Sequence, residues 1–90
     1  MEKNKKNIMI NFKKAKSLTE KMIKMSEDGE YCIDIMQQNL AVIGLLRSAN
    51  QMLLDGHLNS CFKNAMVSKN EKLKQRMVDE ILQVNRLANK

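Results

Sequence analysis

The chain has no proline and no tryptophan, and its 90 residues include only three glycines, Gly29, Gly44 and Gly56. Chain breakers this scarce favour long helices over a turn-rich chain. The aromatic residues are Phe12, Phe62 and Tyr31 alone, so a core has to be assembled from Leu, Ile and Met. Two cysteines are too few for a disulfide framework. No segment approaches the roughly 18 apolar residues of a membrane span, and the apolar run in MEKNKKNIMI is too short and interrupted for a signal peptide. These absences predict a cytoplasmic protein with reduced thiols and no membrane partner. No carboxylate pair, glycine loop or activated nucleophile is in evidence, so neither an enzyme nor a small-molecule substrate is expected.

What the chain does have is a lopsided charge. Its net charge is +6, and residues 1–24 carry all of it, with eight lysines against Glu2 and Glu20. Such a segment is either a solvated helix face or a nucleic-acid footprint, which an oligomer would multiply. Ninety residues make one domain at most. A chain of that size buries only roughly 60% of its unfolded surface, so oligomerisation is the expected supplement.

Periodicity divides the chain into three helices. Over residues 7–26, Ile8, Phe12, Ala15, Leu18 or Thr19, Met22 and Met25 recur at spacings of three and four, with lysines between them. The stretch Ser26-Glu27-Asp28-Gly29 ends this helix with a turn signal. Residues 30–66 are apolar nearly all round, through Ile35, Val42, Leu46, Ala49 and Leu53, as in the central helix of a bundle. Asp55-Gly56 could end it, but helical spacing resumes through Leu58, Cys61 and Phe62, so a continuous helix is expected. Ser68-Lys69-Asn70-Glu71 reads as a capping box, opening a third helix over residues 69–88 with Leu73, Met77, Ile81, Val84 and Leu87 inward.

The segment His57-Leu58-Asn59-Ser60-Cys61 holds the sole histidine and one of the two cysteines. Alone, that pair is as well read as a buried thiol near a satisfied core histidine. On a continuous helix, however, His57 and Cys61 fall about −20° and +20° from Cys32, so all three share one stripe. Cys32 is nevertheless roughly 37 Å from His57 along the axis. Two such helices packed antiparallel would bring Cys32 of one subunit beside His57 and Cys61 of the other, giving two equivalent sites per dimer. Two thiolates and one imidazole favour Cu(I), with Zn(II) possible if a fourth ligand joins.

These residues also resemble a known family. Tyr31-Cys32-Ile33-Asp34-Ile35, Gln38, Ala41-Val42, Leu46, Leu53-Leu54 and His57-Leu58-Asn59-Ser60-Cys61 are similar to the pattern YCxDILxQxxAV followed by LLxxHLxxC. That pattern, with the same spacings, marks the copper-sensitive operon repressors of the CsoR/RcnR type. The resemblance implies an all-α homodimer, an antiparallel four-helix bundle that pairs into a tetramer and represses a metal-efflux operon until Cu(I) binds. It implies that Cys32, His57 and Cys61 are the ligands, with Tyr31 and Glu80 in a hydrogen-bond network around the histidine. Operator DNA would be held by Lys13, Lys14, Lys16, Lys21 and Arg47, mostly at phosphates.

The chain also departs from the family. Where the first helix usually reads like RIEGQVRG, residues 14–21 read KAKSLTEK. Ile43 replaces a usual basic residue, with Arg47 one turn on, and Asn39 replaces an apolar one. Two further readings therefore stand beside the Cu(I)-responsive repressor. One is a repressor of the same superfamily in which Cys32 and Cys61 sense oxidants or reactive sulfur. The other is a copper-binding helical protein without DNA binding.

Overall fold

The computed structural model describes residues 2–90, and among them every regular element is helical. Helix α1 spans Glu2–Glu27 and α2 spans Cys32–His57. A π-helical turn, Leu58–Phe62, leads into the short α3, Lys63–Val67, and α4 spans Glu71–Ala88. Counting the run from Cys32 to Val67 as one arm, the all-α expectation of three helices with a long central one holds. The chain separates into two compact units, residues up to Gly56 and residues 57–90.

The first unit is an α1–α2 hairpin. Helix α1 begins at Glu2, five residues before the expected start, because residues 2–6 contain no breaker and include good helix formers. Its inward seam is Ile8, Asn11, Ala15, Leu18, Met22 and Met25, at alternating spacings of three and four. Asn11, rather than the expected Phe12, belongs to this seam. Its Nδ2 donates to the Leu45 carbonyl at 3.1 Å, which satisfies a half-buried amide, while Phe12 turns outward. Across from it, α2 contributes Val42 and the fully buried Ala49. A buried alanine leaves room for a neighbouring helix to pack closely.

The expected turn after α1 takes the form of a Schellman cap. Glu30 N–H donates to the Met25 carbonyl at 3.0 Å and Gly29 N–H to the Ser26 carbonyl at 3.2 Å. Gly29 sits at φ +65°, where a Cβ would be strained, so glycine is the residue this cap requires. The chain re-enters helix at once, as the Tyr31 carbonyl accepts from Asp34 N–H and Ile35 N–H.

In the second unit α3 packs against α4, with Ala65 buried and Leu73, Met77 and Ile81 half-buried. Val84 and Leu87, expected to face inward, are exposed. The expected capping box centred on Ser68 does not form. Ser68 is extended, and its hydroxyl donates back to the Ala65 carbonyl at 2.7 Å, closing α3. The N-cap of α4 is instead Asn70, whose side chain accepts from Leu73 N–H at 3.0 Å, so the helix starts at Glu71. Replacing Asn70 with alanine should cost about 1 kcal/mol of stability, read by urea unfolding, and Asn70→Asp should restore it.

The helix continues through Asp55-Gly56 as expected, but it does not remain α-helical. The π turn over Leu58–Phe62 replaces i→i+4 bonding with i→i+5. The 100° rotation per residue assumed between His57 and Cys61 therefore fails, and the placement of Cys61 at +20° on a single stripe does not carry over.

Candidate functional site

Each of the three soft donors sits at a helix discontinuity. Cys32 is the first residue of α2 and His57 the last, while Cys61 lies within the π turn. Both cysteines are exposed and reduced, and His57 is half-buried. The Ser60 hydroxyl lies 3.9 Å from the Cys61 sulfur, close enough to donate to it. Single-turn π segments recur at functional sites because they re-aim side chains without ending the helix. Sequence reading missed this turn. Its signal is the run Asn59-Ser60 just after Gly56, three weak helix formers in five residues.

Among the described residues, no group of three or more His, Cys, Asp or Glu side chains is gathered for a metal ion. Cys32 and His57 stand at opposite ends of a 26-residue helix. Chemically, two thiols and an imidazole fit a soft, low-coordinate ion. Exposure leaves both sulfurs able to meet groups from outside the chain.

Tyr31 and Glu80 are the residues expected around the histidine. Tyr31 is 67% exposed and caps the start of α2 through its backbone. Glu80 lies on α4 and pairs with Arg76 of the same helix at 3.6 Å, an exposed ion pair of little energetic weight.

The basic residues gather in one unit. Lys13, Lys14, Lys16 and Lys21 are all exposed on α1, with Lys13 and Lys16 opposite the Ile8–Met25 seam and Lys14 and Lys21 on its flank. Arg47 is exposed on α2 in the same unit. Lys13 and Lys14 also border a shallow groove with Ser17, Leu18 and Leu45. Charges so placed can meet a phosphate backbone without desolvating the core.

A third surface is apolar. Ile33, Met36, Leu40, Ile43 and Leu46 are all exposed along α2, although this helix was expected to be enclosed. A contiguous apolar helix face of this kind marks an interaction surface. Among the described residues no helix is long and apolar enough to cross a membrane.

Comparison with known proteins places these features in context. A family model described as metal-sensitive transcriptional repressor matches residues 4–86. The chain is 34% identical over 80 residues to the copper-sensing transcriptional repressor CsoR of Mycobacterium ulcerans (strain Agy99), covering 88% of this chain and 66% of that protein. It is 44% identical over 43 residues to the copper-sensing transcriptional repressor RicR of Mycobacterium tuberculosis (strain ATCC 25618 / H37Rv), covering 48% of this chain and 45% of that one. The chain thus spans just under two thirds of the first relative and less than half of the second. Its fold matches the crystal structure of the copper-sensing repressor CsoR with Cu(I) from Geobacillus thermodenitrificans NG80-2, with a TM-score of 0.84 and 30% identity. That match covers 100% of this chain and 91% of the other.

Proposed function

Because the chain belongs to the metal-sensitive transcriptional repressors, a family of regulators rather than enzymes, we propose that it is a Cu(I)-responsive repressor. It holds operator DNA when metal-free and releases it when copper binds. The observation that carries this reading is the full-length likeness to a repressor crystallised with Cu(I), and the donor set of this chain agrees with it.

The ligands are Cys32, His57 and Cys61. Bound Cu(I) would supply a soft, low-coordinate centre matched to two thiolates and an imidazole. Both thiols give up their protons on binding. One chain does not gather the three donors, so the site is shared between subunits, Cys32 from one and His57 with Cys61 from the other. The exposed apolar face of α2 supports a homodimer, and pairing of dimers gives a tetramer. With one ring nitrogen of His57 committed to the site, the other is free to engage Tyr31 and Glu80, which orients the ring. That network favours an arrangement of the oligomer that binds DNA less tightly, a coupling between two sites.

DNA is held through Lys13, Lys14, Lys16, Lys21 and Arg47, largely at phosphates, and the protein works in the cytoplasm. The test is anaerobic Cu(I) titration followed by mobility of DNA from the protein's own upstream region. Copper should bind and should release that DNA. A protein that binds copper but never shifts the DNA is a copper-binding protein without a repressor role.

Exposure of both free cysteines favours a second reading, in which Cys32 and Cys61 form a dithiol switch for oxidants or reactive sulfur. Persulfide donors, rather than Cu(I), would then release the DNA.

Subunit sharing has its own test. Mixing Cys32→Ala protein with a His57→Ala/Cys61→Ala double variant should yield heterodimers with one intact site and one empty one. Tight copper binding should return at half the wild-type stoichiometry. Heterodimers that form without regaining it would rule out the antiparallel pairing.

A further inference from the structure

Where the pattern RIEGQVRG has its two glycines, this chain has Ser17 and Lys21, and Glu20 stands at its second arginine. Ser17 falls one helical turn after both Lys13 and Lys14 and one turn before Lys21, so these side chains are neighbours on the surface of α1. Its hydroxyl is not spent within the helix. The Thr19 hydroxyl donates to the Ala15 carbonyl at 2.7 Å and the Ser26 hydroxyl to the Met22 carbonyl at 2.8 Å, the local use that such side chains find in a helix. Ser17, exposed on the same helix, has no hydrogen-bond partner among the described residues. Its hydroxyl is therefore a donor and acceptor open to a ligand.

Lys13, Lys14 and Ser17 border a groove of about 410 Å³ together with Leu18 and Leu45. The three polar residues are exposed and the two leucines half-buried, so two ammonium groups and a hydroxyl form a rim over an apolar floor. A nucleotide is divided in the same way, into an anionic phosphate and the apolar face of a sugar. Serine hydroxyls and lysines alike contact phosphates where proteins hold DNA. The groove is also clear of the face assigned to the homodimer. On α2, Leu45 lies about 60° to one side of the buried Val42, whereas Leu46 and Ile43 lie about 40° and 100° to the other.

We infer that this groove seats one backbone phosphate of DNA, with the Ser17 hydroxyl donating to a phosphate oxygen between the Lys13 and Lys14 ammonium groups and the adjoining deoxyribose against Leu18 and Leu45. The inference rests on the DNA-binding reading above and adds a neutral contact to it. A hydroxyl displaces no counterion when it meets a phosphate, so Ser17 contributes to affinity without contributing to its salt dependence. It also fixes the phosphate in register, which lysine, a point charge on a flexible stem, does not.

The test is binding of a short duplex of arbitrary sequence, without copper, over a range of salt. Ser17→Ala should weaken binding by about fivefold per engaged protomer, the size of one net hydrogen bond, and leave the slope of log affinity against log salt unchanged. Lys14→Ala should instead lower that slope. The Ser17→Ala loss should shrink in the Lys14→Ala background, because the two side chains share one phosphate. Alanine is the better helix former, so lost affinity with undiminished thermal stability is not an effect on folding. With 13C-labelled leucine methyl groups, the duplex should also move the Leu18 and Leu45 resonances of the wild type. The inference is overturned if Ser17→Ala binds the duplex as tightly as the wild type, if its loss is the same with and without Lys14, or if neither leucine moves. The duplex carries no operator and no copper is present, so such a failure would leave the Cu(I)-repressor reading intact. A wild type that holds its upstream DNA but ignores copper would overturn that reading and leave the Ser17 effect in place.

Discussion

Replacing Cys32 or Cys61 with alanine should lower Cu(I) affinity by about a hundredfold or more in anaerobic competition titrations. Thiolate-rich metal sites bind with apparent free energies on the order of 10 kcal/mol, and three ligands share that sum. Losing one therefore costs about 3 kcal/mol, and each 1.4 kcal/mol is a factor of ten. Imidazole is a harder and neutral donor, so His57→Ala should weaken binding less. Its larger effect should fall on coupling: copper should still bind this variant but no longer release DNA. The two readouts separate the roles, because thiolates set affinity and the histidine links the site to the rest of the protein. A His57→Ala protein that releases DNA normally on copper addition would remove the proposed switch, and cysteine variants that keep wild-type affinity would remove the site.

The second large effect concerns DNA. A Lys13→Ala/Lys14→Ala/Lys16→Ala variant should lose most of its DNA affinity at moderate salt while keeping full copper affinity. All three lysines are exposed on α1, and the first 24 residues carry the whole +6 of the chain. Each phosphate contact contributes about 0.9 to the slope of log affinity against log salt, so removing three should lower that slope by about 2.7 per engaged protomer. Lysine is a point charge without the bidentate fork of arginine. Phosphate contacts should therefore outweigh base readout here, and most of the lost affinity should be independent of DNA sequence. A variant that binds as tightly as the wild type, with an unchanged slope, would make these lysines a solvated face and nothing more. The copper titration on the same protein guards against misfolding, since an unfolded hairpin would lose both activities.

Much of this molecule was legible in its sequence, for reasons that are local. Helices follow from the absence of proline and from a three-and-four spacing that needs only neighbouring residues to express itself. The turn at Asp28-Gly29 was legible because a left-handed φ of +65° admits few residues other than glycine. A candidate donor set could be picked out because the chain has one histidine and two cysteines, and a basic segment because eight lysines crowd the first 24 residues.

What stayed hidden depends on competition between groups that sequence spacing treats as equivalent. Ser68 and Asn70 are both good N-caps. Asn70 caps α4 because the Ser68 hydroxyl is already used to close α3. Asn11 and Phe12 are adjacent, and burial went to the polar one because the Leu45 carbonyl of the opposing helix accepts its amide. The π turn at Leu58–Phe62 could not be read from a 100° rule that presumes one hydrogen-bond register throughout. Local sequence thus determined which segments are helical and which residues are candidates for soft-metal and phosphate chemistry, since those properties belong to single residues and their near neighbours. Tertiary structure decided which side chains are buried, where α4 begins and how the turn that carries Cys61 is wound, because each of those depends on a partner distant in sequence or on a hydrogen bond that only one of several candidates can make.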